Sequence, residues 1–76
     1  MKYGIGQMVS IKINGKPGKA KIFGYEQDGT GWIYHLEIDE FDLDIKVLES
    51  NLIQGINIVT NGTVAKVILD DKAKAK

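Results

Sequence analysis

Residues 19–39 read "KAKIFGYEQDGTGWIYHLEID", and this stretch decides the fold. Two runs rich in β-branched and aromatic residues, 18–26 and 31–38, flank Gln27, Asp28, Gly29 and Thr30. An aspartate and glycines at that spacing supply the positive-φ and side-chain-to-backbone options of a loop. The segment reads as a β-hairpin. Its register follows from the pairing that makes both faces sensible. With Ala20 opposite Ile38 and Ile22 opposite Leu36, the inner face continues through Gly24–Tyr34 and Glu26–Trp32. The outer face then pairs Lys19 with Asp39, Lys21 with Glu37, Phe23 with His35, and Tyr25 with Ile33. Such cross-strand pairs contribute about 0.2–1 kcal/mol each. A slip of one residue sets Lys21 against Leu36 and Lys19 against Ile38, and the alternation collapses. Phe23, Tyr25, Ile33 and His35 are therefore expected to form one outer patch beside a charged strip, which serves as a seat for the C-terminal hairpin, a partner surface or a homodimer seam.

Working outward, residues 7–13 alternate, with Val9, Ile11 and Ile13 on one face and Ser10 and Lys12 on the other. Gly15, Pro17 and Gly18 mark the following turn or loop. A fourth strand spans 41–49, where Phe41, Leu43, Ile45 and Val47 alternate with Asp42, Asp44 and Lys46. Residues 49–52, "ESNL", suit one turn of 3₁₀ helix. Residues 56–69 carry a second hairpin centred on Asn61-Gly62, read as a two-residue type I′ turn. That turn pairs Thr60 with Thr63, Val59 with Val64, and Ile58 with Ala65. The expected core comprises Val9, Ile11, Ile13, Ala20, Ile22, Trp32, Tyr34, Leu36, Ile38, Leu43, Ile45 and Leu52. The tail, 71–76, has no apolar face and is expected to be disordered.

The chain has 76 residues, 43% of them hydrophobic, which fits one domain spanning 1–70. Cysteine is absent, so disulfides, thiolate metal sites and thiol nucleophiles are excluded. Neither a secretory signal nor an apolar run of about 20 residues is visible, so the expected setting is cytoplasmic. Net charge is zero but unevenly spread. Residues 1–25 hold five lysines and no acid, while residues 26–49 hold eight acids against Lys46. Arginine, the usual fork for phosphate and guanine, is absent.

The layout resembles a small bacterial or phage SH3-like barrel. The residues that carry the resemblance are Gly6 to Val9, Gly18 to Gly24, Gly31 to Leu36, and Glu49 to Leu52. This resemblance covers about two-thirds of the chain. It implies an all-β barrel of about five strands, here with an added C-terminal hairpin. Residues 9–22, "VSIKINGKPGKAKI", resemble the strand–loop–strand of KOW-type modules, which implies nucleic-acid or protein contact; Ala20 stands near that motif's glycine. Gly4, Gly6 and Val9, followed by Ile22 and Gly24, are spaced similarly to the plasmid type II dihydrofolate reductase family. That family uses a Val-Gln-Ile-Tyr stretch in a tetrameric pore. The nearest segment here is Leu43, Asp44, Ile45 and Lys46, in which Ile45 alone matches, and an aspartate ring would repel anionic substrates.

No other constellation points to catalysis. His35 is the only histidine. Glu37, two residues on, offers it a surface pair rather than an oriented base with a nucleophile in reach. "EIDEFDLD" (37–44) lacks the central glycine of an EF-hand and reads as a solvated strand face. "GYEQDGTG" (24–31) precedes no helix, so it is no phosphate cradle. The expectation is a non-enzymatic, protein-binding interaction module encoded by a phage or mobile element. It would use no cofactor, metal or membrane, act as a monomer or weak homo-oligomer, and bind through Phe23, Tyr25, Ile33 and His35. The alternative is sequence-independent nucleic-acid binding through Lys12, Lys16, Lys19 and Lys21; dihydrofolate reductase-like activity is a remote third reading.

Overall fold

The computed structural model describes residues 3–69, and the tail expected at 71–76 lies outside them. Six strands form one sheet: β1 (Met8–Ile13), β2 (Lys16–Asp28), β3 (Gly31–Ile38), β4 (Leu43–Leu48), β5 (Ile56–Thr60) and β6 (Ala65–Leu69). A 3₁₀ turn, Asp39–Phe41, precedes β4, and a short helix α1, Glu49–Gln54, follows it. The spatial order is β4-β3-β2-β1-β5-β6. The sheet curls into a nearly closed barrel, so the fold is a small all-β barrel.

β1 and β2 join through Asn14-Gly15, with φ of 53° and 80°. Ile13 pairs with Lys16 across them, making a two-residue hairpin with positive φ at both loop positions. Pro17 therefore lies inside β2, opposite Lys12, rather than in a loop. Residues 16–20 of β2 pair with β1 alone, and an open strand side tolerates the missing N–H.

The second Asn-Gly behaves differently. Thr60 pairs with Ala65, which leaves a four-residue loop, 61–64, in place of the expected type I′ turn. Side chains hold this loop. Asn61 Oδ1 accepts from the backbone N–H groups of Thr63 and Val64 at 2.9 and 3.3 Å. Thr60 Oγ1 accepts from Gly62 N at 2.9 Å and donates to Val64 O at 2.7 Å. Local side-chain bonds outcompete the tight turn. Pairing moves by two residues, so the strand faces are kept.

β5 returns parallel to β1 through two pairs, Lys12–Asn57 and Ile13–Ile58. Asn14 clasps the join: its Nδ2 donates to Thr60 O, and its Oδ1 accepts from Thr60 N, each at 3.0 Å. The core contains Val9, Ile11, Ile13, Ala20, Ile22, Tyr34, Leu36, Ile38, Val47, Leu52, Ile56 and Ile58. Trp32 and Ile45 pack at its margin. Leu43, expected inside, is half-buried, and Val47 replaces it as the buried residue of β4. The 3₁₀ turn and the left-handed Asp42 (φ 53°) delay β4 by two residues relative to the sequence reading.

Candidate functional site

The β2–β3 ladder is not continuous. Lys21–Glu37 and Ile22–Leu36 pair as expected, but the next pair is Gly24–His35, which leaves Phe23 as an extra residue. Two residues on β2 thus face one on β3, which is a β-bulge. Beyond it the pairs are Tyr25–Tyr34, Glu26–Ile33 and Gln27–Trp32. This corrects the expected Phe23–His35, Tyr25–Ile33, Gly24–Tyr34 and Glu26–Trp32 pairs. The reason is electrostatic and steric. An unbroken ladder aims the Glu26 carboxylate at the core, where an ionised group is expensive to desolvate. The bulge turns Glu26 outward and Tyr25 to the face of Tyr34. Gly24 suits the corner, because a Cβ there would stand 3.3 Å from His35 Nδ1.

The open face of β2–β3–β4 therefore carries Phe23, Glu26, Ile33, His35, Lys46 and Leu48. The Phe23 ring meets the His35 ring edge-on at 5.7 Å. His35 Nε2 lies 3.2 Å from Glu26 Oε1, and Lys46 Nζ lies 3.9 Å from the same oxygen. His35 pairs with Glu26 across the sheet rather than with Glu37. An exposed pair of this kind contributes about 0–1 kcal/mol, so it fixes side-chain positions more than it stabilises the fold. Phe23 is 43% exposed and Leu48 41%. Tyr25, 41% exposed, sits on the opposite side of the strand, edge-on to Trp32 at 5.7 Å. The sequence reading places three of its four patch residues together and misses Leu48, Glu26, Lys46 and the Tyr25–Trp32 pair. The C-terminal hairpin forms no ladder with β2, β3 or β4, and Phe23 and Leu48 keep their exposure in its presence.

The lysines form a second group. Lys19 and Lys21 on β2 and Lys12 on β1 alternate with the buried residues of their strands and share the outer face. Lys16 stands at the first turn. Lys19 Nζ lies 3.3 Å from Ser10 Oγ, its neighbour across the ladder. The expected Lys19–Asp39 pair does not form part of the ladder, because Asp39 opens the 3₁₀ turn. Lys66 on β6, which the sequence reading did not assign, lies opposite Val59 on the same outer side.

Among the described residues no group of three His, Cys, Asp or Glu is placed to hold a metal ion. No helix of the described residues is long and apolar enough to cross a membrane. No family model, no curated protein and no solved structure matches the chain.

Proposed function

We propose that this chain is a non-enzymatic interaction module that binds a protein through the open face of β2–β3–β4. The bulge carries this reading. It brings Phe23 out of the ladder and holds it, half-exposed, against His35 on a face that the rest of the described chain leaves open. Large apolar groups held rigid beside charged ones are the usual anchors of recognition. Ile33 and Leu48 extend the apolar part, while Tyr25 and Trp32 pack on the other side of the sheet and take no part in it. Glu26, Glu37 and Asp44 edge the face with negative charge. The partner is therefore a protein segment that presents an apolar side chain flanked by lysine or arginine. A cytoplasmic setting and a phage or mobile-element origin accord with the cysteine-free, arginine-free composition.

The test is selection from a displayed random-peptide library, followed by titration calorimetry of the enriched peptides. Peptides with an apolar anchor and basic flanks are expected to lose at least tenfold affinity against Phe23→Ala and Leu48→Ala, with both variants melting within a few degrees of the parent. Enriched peptides that bind both variants unchanged would sink the assignment. So would a collapse of melting temperature in Phe23→Ala, which would make Phe23 a packing residue.

A further inference from the structure

β2 is shared between two differently charged halves of the barrel. Its first half pairs with β1 and its second half with β3. The strands on the first side, β1, residues 16–22 of β2, β5 and β6, contain Lys12, Lys16, Lys19, Lys21 and Lys66 and no acidic residue. All eight acids of the described residues lie from the second half of β2 through α1. The two halves meet just before the bulge, at the Lys21–Glu37 pair. The uneven charge of the sequence thus becomes two separate surfaces.

On the basic side the ladder fixes the arrangement. Lys19 and Lys21 alternate along β2, about 7 Å apart. Ser10 lies beside Lys19, and Lys12 lies beside Pro17 and Asn57. Ile68 follows beside Asn57, and Lys66 stands two residues away along β6, on the same face. The cationic track crosses from β2 to β6, a span of three strand spacings, or about 14 Å. Its polar members, Ser10 and Asn57, are small hydrogen-bonding groups. No aromatic residue lies on these strands. Met8, Val59 and Ile68 are exposed among the lysines, but the track holds no tryptophan, tyrosine or arginine, the residues that dominate protein-binding centres, and its lysines, serine and asparagine supply the donors that phosphates accept.

We infer that the outer face of β2–β1–β5–β6 is a second surface, which binds the phosphate backbone of nucleic acid without reading sequence. The residues that carry it are Lys19, Lys21, Lys12 and Lys66. They act from the sheet face, and Lys16, at the start of β2 opposite the buried Ile13, is peripheral. The acidic half of the barrel confines the footprint to three or four phosphates. Affinity for duplex DNA then falls about 40- to 150-fold between 50 and 200 mM salt.

The experiment is fluorescence anisotropy of the full chain with a labelled duplex of about two helical turns, across that salt range. Lys19→Gln/Lys21→Gln is expected to weaken binding at least tenfold at low salt and to reduce the salt slope by about 2. Gln27→Glu/Thr30→Glu, which changes net charge equally at the far loop, is expected to stay within about threefold. Circular dichroism melts of both variants confirm folding. A single strand of the same length is expected to bind with a shallower salt slope. No binding at low salt, equal losses in both variants, or displacement of the duplex by polyglutamate at equal charge concentration would each overturn the inference. Salt-sensitive self-association with no DNA binding would overturn it too, and would identify the occupant as the acidic segment 39–44 of a second copy.

Discussion

Tyr34→Phe removes one oxygen from the tip of a buried β3 side chain. The Tyr34 side chain is fully buried, and its hydroxyl donates to Glu49 Oε2 at 2.5 Å while accepting from Tyr3 N at 3.0 Å. That oxygen ties β3 to the start of α1 and to the chain segment before β1. A hydrogen bond to a charged group contributes about 1.5–3 kcal/mol. The Tyr3 N–H lies near the surface and can turn to water, so its loss adds little. The expected destabilisation is therefore about 2–3 kcal/mol. A chain of this length has a total stability of roughly 4–11 kcal/mol, so the change is a large fraction of the whole. At about 4–8 °C per kcal/mol for small domains, the melting temperature should fall by roughly 10–20 °C. The assay is urea unfolding followed by fluorescence of Trp32, the only tryptophan, with a double-mutant cycle against Glu49→Gln. A loss below about 0.5 kcal/mol, or full additivity in the cycle, would refute the coupling of Tyr34 to Glu49.

Asn14→Ala breaks both bonds of the clasp to Thr60 and places alanine at positive φ; we expect about 2–3 kcal/mol of destabilisation, with hydrogen exchange accelerated first in β5 and β6. Asn14→Gly keeps the turn conformation and should lose only part of that, which calorimetry will resolve. Gly18→Ala sets a Cβ 2.6 Å from Ile13 Cδ1; displacing that buried side chain should destabilise by about 1–3 kcal/mol, read as a shift of the urea midpoint. Thr60→Val preserves shape but deletes the bonds to Gly62 and Val64, and about 1–2 kcal/mol should be lost, with NMR shift changes confined to residues 60–65.

Alternation made β1, β3 and the inner face of the first half of β2 legible, because a two-residue period assigns faces directly. The all-β class followed from it. The bulge was hidden because alternation cannot count an extra residue. Two signals pointed to it: Gly24, a glycine inside a strand, and Glu26, a carboxylate that an unbroken ladder would bury. Leu48 carries no signal of its own in the sequence, because the end of β4 depends on where the 3₁₀ turn starts it. The two Asn-Gly pairs are identical as dipeptides. Their different turns come from the neighbours, since Asn14 reaches Thr60 far along the chain while Asn61 bonds its own loop. The parallel β1–β5 join, and with it the placement of Lys66, had no local signature, because strand order is set by packing between distant segments. The functional surfaces depend on these long-range facts more than the core does.

The two-pair join between β1 and β5 also bears on the order in which the chain assembles. β1 through β4 are a meander of neighbouring hairpins, which need short loop closures and form on the microsecond scale as isolated units. Joining β5 to β1 instead closes a loop from Asn14 to Thr60, a separation of 46 residues, at an entropic cost that only the buried Ile56 and Ile58 can offset. Barrel closure should therefore be the late, rate-setting event of folding. On a ribosome, the first four strands emerge before the segment that completes them. During that interval β1 offers an unpaired edge and bare isoleucines to any neighbouring chain. The seam that completes the barrel is then also the point at which its synthesis is most exposed to aggregation.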